Sequence, residues 1–174
     1  MISEQIKEQI RAIVGKEHAM DSDLDKFGYS YDSSFMPLTP PYLPDMVVRP
    51  LTTEEVSAVM KIAYDNDIPV TARGAASGRT GGTVPLKGGI SLSLDRMTKI
   101  VELDEANMMI TAEAGLRTIE LHDYCMEKGL FFPPDPASWK MSTVGGNVAE
   151  NAGGMRAVKY GVTGDYVMGL EVVF

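Results

Sequence analysis

The sequence holds a single cysteine, Cys125, and only two histidines, His18 and His122. One thiol excludes an intramolecular disulfide, a cysteine-built zinc site and an iron–sulfur cluster within the chain. Two histidines are too few for most metal sites, and no metal ligand is assigned. No apolar run approaches the roughly 20 residues that a membrane-spanning helix needs. Basic residues are in deficit: 16 Lys and Arg against 24 Asp and Glu give a formal charge of −8. That balance argues against a phosphate-neutralising surface, so no nucleic-acid partner is expected. The opening "MISEQIKEQIRAIVG" is amphipathic and lacks the pattern of a secretion signal, which points to a cytoplasmic chain.

What is present is a globular composition. With 174 residues and 44% apolar content, the chain can build one core, or one domain and part of another. Ile2, Ile6, Ile10, Ile13 and Val14 recur at helical spacing, which predicts a helix over Ser3–Val14 stopped by Gly15. Residues 21–44, with "PLTPPYLP", read as an extended loop that wraps the surface. "MVVRP" is a strand ended by Pro50. Thr52 and Glu55 stand at capping-box spacing and open a helix with Val56, Val59, Met60 and Ala63 on its apolar face. "DIPVTA" then reads as a buried strand, completing a strand–helix–strand unit of parallel type. "GGISLSL", "KIVELD" and "MMITAEAG" follow as short strands. A helix over residues 116–128 carries Leu121, Tyr124 and Cys125 on one face, with Gly129 as its left-handed stop. "LFFPPDPASW" is extended, and "YVMGLEVVF" reads as a terminal strand, which suggests a domain cut short.

The stretch "RGAASGRTGG", Arg73 to Gly82, follows "DIPVTA" and has almost nothing that could form a core. No two of its glycines stand two apart, so the dinucleotide G-x-G-x-x-G fingerprint is absent. Counting from Gly74, Arg79 stands where the P-loop needs its second glycine, and no Lys-Ser/Thr pair follows. A third design remains. A run of Gly, Ala and Ser can turn successive backbone N–H groups inward as an anion nest, since side chains would block close approach. Ser77 and Thr80 add hydroxyl donors, and Arg73 and Arg79 add positive potential. A mobile surface loop would select the same residue types. The second small-residue stretch, "TVGGNVAENAGG" (Thr143 to Gly154), fits a large ligand passing both segments; a tight helix crossing would also select it.

The ordered motifs "VVRPLTTEEV", "IPVTARGAASGRTGG", "GGISLSLDRMTKI", "ITAEAGLRTIELHDYCMEKGL", "FFPPDPASWKMSTVGGNVAENAGG" and "YGVTGDYVMGLEVVF" resemble the FAD-binding domain of the vanillyl-alcohol-oxidase/PCMH superfamily. Within it they are most similar to the glycolate oxidase flavoprotein subunit and D-lactate dehydrogenase group. The resemblance implies an α+β (α/β) fold, a PCMH-type FAD-binding domain of two α/β subdomains with FAD held between them and the second truncated. Residues 1–45 form an N-terminal helix and wrapping loop, and residues 46–174 the FAD domain, with its C-terminal part and a substrate domain missing.

By the same resemblance, Arg73, Gly74, Ala75, Ala76, Ser77, Gly78, Thr80, Gly81 and Gly82 belong to the pyrophosphate loop. Asp135 and Pro136 stand near the flavin. Ser142, Thr143, Gly145 and Gly146 match the T-[IV]-G-G motif, and Asn151, Gly153, Gly154, Tyr160 and Gly161 continue that wall. Some members attach flavin covalently through a histidine in the pyrophosphate loop. This loop has none, so non-covalent FAD is expected. The implied activity is oxidation of a 2-hydroxy carboxylate by hydride transfer to the flavin, with electrons passed to an acceptor protein. No catalytic residue is assigned within the chain. The alternative is a flavin-binding electron-transfer module, or a non-catalytic fragment, without a substrate site of its own.

Other conspicuous residues read as structural. His122 is a partly buried or solvated helix residue, and His18 caps a helix end at most. Cys125 is an inert buried thiol, and Trp139 packs. The twelve methionines look like core filling. Arg156 and Lys159 follow the second glycine segment, where either can reach a phosphate.

Overall fold

Ser3 opens the first helix, α1 (Glu4–Val14): its hydroxyl accepts from the Ile6 amide at 3.4 Å. Gly15 ends it at φ +89°, a conformation a side chain would resist. The computed structural model describes residues 1–34 and 41–174 and divides into two units, residues 1–96 with 172–174, and residues 97–171. In the first unit α1 is followed by β1 (Ala19–Met20), α2 (Asp23–Gly28), β2 (Met46–Val48), α3 (Thr53–Asp65), β3 (Val70–Arg73) and β4 (Ile90–Ser93).

These strands form one sheet in the order β1-β2-β4-β3, with β1 antiparallel and the rest parallel. The expected β2–α3–β3 unit is present, but β4 inserts between its two strands. Alternation along β4 explains the two faces. Ile90 and Leu92 align with Met46 and Val48 of β2 and with Val70 and Ala72 of β3. That face meets α1 and α3, and Ile10, Met46, Val59 and Ile90 are fully buried in the cluster. Each such side chain contributes about 1.5–3 kcal/mol of burial. The other face carries Ser91 and Ser93 beside Val47, Thr71 and Arg73. Helix α3 is capped as its spacing predicts: Thr52 Oγ1 accepts from Glu55 N at 3.3 Å, and Glu55 Oε2 accepts from Leu51 N at 2.7 Å.

Two expectations change here. Residues 21–44 are not one continuous loop. Ser22 caps the short helix α2 by accepting from Asp25 N at 3.2 Å, and the first part of "PLTPPYLP" lies outside the described residues. Strand β3 is not buried but half-exposed, because it stands at the sheet edge; the fully buried strand is β4.

An ion cluster fastens α1 to the turn after β1. Asp21 Oδ2 lies 2.8 Å from Lys7 Nζ and 3.0 Å from Arg11 Nη2. The Lys7 hydrogen bond holds the Asp21 carboxyl below 3.8, while Lys7 is raised above 10.5 by the same bond. A depressed carboxyl stabilises the fold above its unfolded value, and that contribution disappears as pH falls through the folded value. Lys7 has the opposite sense, its share being lost as pH rises through its raised value. Asp21→Asn is therefore expected to destabilise the fold by about 1 kcal/mol at neutral pH. In urea titrations, the gap between variant and parent should close as pH drops below 3.8. A gap independent of pH would show that charge is not the cause.

The second unit opens with the antiparallel hairpin β5 (Ile100–Asp104) and β6 (Met109–Ala112), turned by Asp104, whose carboxylate accepts from the Asn107 backbone and side-chain nitrogens. Helix α4 (Thr118–Glu127) buries Leu121 and Cys125 against Leu116, Ile100, Ile110 and Phe132, and Gly129 follows with φ +72°. Burial raises the Cys125 thiol above its ordinary value, so the inert thiolate-poor state holds. Helices α5 (Val144–Ala149) and α6 (Ala157–Tyr160) and a 3₁₀ turn, Thr163–Tyr166, complete the elements. The terminal strand expected at "YVMGLEVVF" is not formed: residues 167–174 carry no ladder with any described strand. Alternating apolar residues supply the pattern of a strand, but pairing supplies the strand itself. Among the described residues, no helix is long and apolar enough to cross a membrane.

Candidate functional site

In the first unit the glycine-rich loop leaves the edge strand β3 directly after Arg73. Arg73 is an anchor more than a rim charge. Its Nη1 donates to Tyr31 O at 2.9 Å and Nη2 to Gly28 O at 3.3 Å, and the guanidinium lies 4.9 Å from the Tyr29 ring centre. Burial lowers the Arg73 pKa and raises that of Tyr29. Ala76 takes φ +52° and Gly81 φ +76°, so the chain twice turns through the left-handed region. Ser33 N donates to Gly78 O at 3.1 Å, and Gly81 N donates to Asp32 Oδ2 at 2.9 Å. Gly82 N donates to Thr80 Oγ1 at 3.3 Å. The amides of Gly81 and Gly82 thus have internal partners. Gly74, Ala76, Ser77 and Gly78 are half-buried, and Ala75, Arg79 and Thr80 are exposed.

In the second unit, residues 142–145 run antiparallel to residues 114–118. Thr118 N donates to Ser142 O, Val144 N to Leu116 O and Gly145 N to Ala114 O, each at 2.8 Å. This close approach separates two adjacent glycines. A Cβ on Gly145 would stand 2.7 Å from Ala114 Cβ, whereas one on Gly146 would meet only Thr143 Oγ1, at 3.0 Å. Gly145 is a packing glycine. Gly146 keeps one face of α5 free of side chain. Thr143 caps α5 by accepting from Gly146 N at 3.3 Å.

Ser142 belongs to a buried network. Thr118 Oγ1 lies 2.9 Å from Ser142 Oγ and accepts from Asn147 Nδ2 at 2.7 Å. Sequence reasoning singled out Ser142 and missed Thr118 and Asn147. The available signal was an amide among small residues in "TVGGNVAEN"; nothing in the spacing connects it to Thr118.

The remaining members of the wall are braced by one another. Gly154, at φ +147°, passes so close to Asp135 that a Cβ would stand 2.1 Å from Asp135 O. Asp135 Oδ1 accepts from Arg156 N at 3.1 Å, and Pro136 is buried. Asn151 Oδ1 accepts from Gly164 N at 2.8 Å. Gly161, at φ +87°, faces the Asp165 carboxylate, which accepts from Val162 N at 2.7 Å. Tyr160 O accepts from Tyr166 Oη, and the Tyr160 ring packs edge-on to Phe131. A Cβ on Gly153 would meet Val162 and Ala157 at ordinary contact distance. Arg156 lies over Phe131 and beside Asp135, and Lys159 over Tyr160. His122 packs 5.5 Å from the Trp139 ring.

Within the first unit the glycine loop supplies turned backbone, and within the second Gly146 leaves open space where a Cβ would stand, apart from Thr143 Oγ1. A family description, FAD binding domain, matches residues 44–174. The "glycolate oxidase subunit GlcD" of Bacillus subtilis is 43% identical over 99% of this chain and 36% of its own length. The "D-lactate dehydrogenase" of Anaerostipes hadrus is 48% identical over 75% of this chain and 27% of its own length. The chain thus spans about a third or less of these relatives. Among solved structures, "alkyldihydroxyacetonephosphate synthase in P1" superposes with a TM-score of 0.86 at 23% identity, over 95% of this chain and 35% of that one. Substrate-bound p-cresol methylhydroxylase gives 0.75 at 22% identity, over 85% and 29%. The chain therefore belongs to the FAD-binding domain family.

Proposed function

We propose that the chain is the FAD-binding part of an oxidoreductase for a small 2-hydroxy carboxylate of the glycolate or D-lactate kind. The observation that carries this reading is the agreement between the relatives: two sharing 43% and 48% of aligned residues are named for different 2-hydroxy acids. The word "subunit" in the first of those names supports a protein partner, which the reading takes as the electron acceptor.

When bound, the flavin supplies an acceptor for the hydride on the hydroxy acid's Cα. The residues of this chain bind and orient. The backbone of Gly74–Gly78 would surround the diphosphate, with Ser77 and Thr80 adding hydroxyls. Gly146 would leave room for the ring, and Thr143 would hold the start of α5 in place by accepting from Gly146 N. Gly145, Gly154 and Gly161 would act indirectly, by letting neighbouring backbone pack close enough to build the wall. Asp135 and Asn151 would brace it through Arg156 N and Gly164 N.

The reading includes FAD held without a covalent bond. The loop has no histidine, His122 stands against Trp139 on α4, and Cys125 is buried. Acid precipitation of the full-length protein is expected to give a colourless pellet and a yellow supernatant; a yellow pellet would overturn that expectation. Anaerobic addition of glycolate or D-lactate to the full-length protein should bleach its flavin bands. A yellow protein that no 2-hydroxy acid bleaches would instead be a flavin-binding module without substrate chemistry.

A further inference from the structure

We propose that residues 28–33, which precede the matched family region, form a strap whose Asp32 and Ser33 set the shape of the glycine loop and with it the affinity for FAD; this rests on the flavin reading above. The strap is fastened at both ends of the loop. At the loop's start, Arg73 reaches back to the carbonyls of Gly28 and Tyr31. Toward its end, Asp32 Oδ2 accepts from Gly81 N at 2.9 Å. The other carboxylate oxygen of Asp32 accepts from Ser34 N at 2.8 Å, which fixes the orientation of the group.

Between these points Ser33 acts on the middle of the loop. Its N–H donates to Gly78 O at 3.1 Å, and its hydroxyl lies 3.5 Å from Ala76 O. In a trans peptide the C=O of one residue and the N–H of the next point in opposite directions. Two carbonyls drawn toward Ser33 therefore turn the N–H groups of Ser77 and Arg79 to the opposite face. Backbone N–H groups turned to one face are what an anion nest is built from. Ala76, whose carbonyl faces the Ser33 hydroxyl, stands at φ +52°, a conformation that a residue with a Cβ adopts at a cost. The bonds between strap and loop thus order a glycine-rich segment before any ligand arrives, and preorganisation of that kind raises affinity.

The test uses the full-length protein, stripped of flavin and titrated with FAD by flavin fluorescence. Asp32→Ala removes the acceptor for Gly81 N and is expected to weaken FAD binding by about tenfold, the usual effect of losing one charge-assisted hydrogen bond. Hydrogen exchange of the flavin-free protein should accelerate at residues 76–81, with the rest of the first unit unchanged. Asp32→Asn keeps an oxygen acceptor and is expected to recover most of the affinity. Asp32→Ala with parental affinity would overturn the proposal, as would affinity lost only in step with global unfolding. If the unaltered protein itself fails to take up FAD, the flavin reading fails, and the strap proposal with it. If it binds FAD and the variants bind equally well, the strap proposal alone fails.

Discussion

Gly146→Val is expected to weaken FAD binding by about a hundredfold, near 2.7 kcal/mol, while the flavin-free protein stays folded. A Cβ at Gly146 finds only Thr143 Oγ1 within 4 Å, at 3.0 Å. The new side chain therefore projects mainly into open space, where the flat ring is proposed to lie. Its direct effect on stability is expected to be small: the Thr143 hydroxyl must give by a few tenths of an ångström, while valine is slightly better than glycine in a helix. Gly145→Ala is expected to do the reverse. Its Cβ would stand 2.7 Å from Ala114 Cβ and 3.0 Å from Ala114 O, so two strands of backbone must separate. Overpacking of that kind costs about 1–3 kcal/mol, and binding should change only as far as the fold loosens. Fluorescence titration with FAD and thermal unfolding without it measure the two quantities separately. Should both substitutions reduce both in proportion, Gly146 is a packing residue and its assignment to the cofactor falls.

Thr118→Val is expected to lower stability by about 2–4 kcal/mol. The replacement has nearly the same volume and sits at a position 1% exposed, so packing is little altered. What disappears is one hydroxyl on which three groups converge: the Ser142 carbonyl, the Ser142 hydroxyl and the Asn147 amide. The carbonyl keeps the Thr118 N–H as a donor, but the Asn147 amide loses its acceptor inside the protein. Thr118→Ser retains the hydroxyl and should cost only about 1 kcal/mol for the missing methyl group. Urea unfolding of the two variants distinguishes the causes: Thr118→Val as stable as the parent, with Thr118→Ser the weaker of the two, would show that the methyl, not the hydroxyl, matters.

The sequence made the local elements plain. Helices α1 and α3 announce themselves through apolar period and through Ser3, Thr52 and Glu55, whose caps need only neighbours three or four residues away. The β4 alternation, Ile-Ser-Leu-Ser, is equally local. The two glycine segments were legible as segments, since bulky groups are missing from whole stretches. What each glycine does was not. Gly145 and Gly146 are identical in sequence and differ only in what residue 114, far back in the chain, places opposite them. The Thr118–Asn147 contact and the pull of Ser33 on Gly78 are long-range for the same reason. Arg73 was read as positive potential, yet the Gly28 and Tyr31 carbonyls that engage it come from some 40 residues earlier. The terminal strand shows the converse error, a strand pattern that pairs with no strand among the described residues.

The strand order β1-β2-β4-β3 bears on how the polypeptide is made. The middle of the sheet is the last of its four strands to leave the ribosome. Until Ile90–Ser93 emerges, β2 has only β1 beside it and β3 has no strand beside it, and each offers a bare ladder edge to whatever passes. The glycine-rich stretch that precedes β4 must also be translated and folded back before those edges are covered. A nascent chain stalled within that stretch would be more prone to aggregate than one released a few codons later.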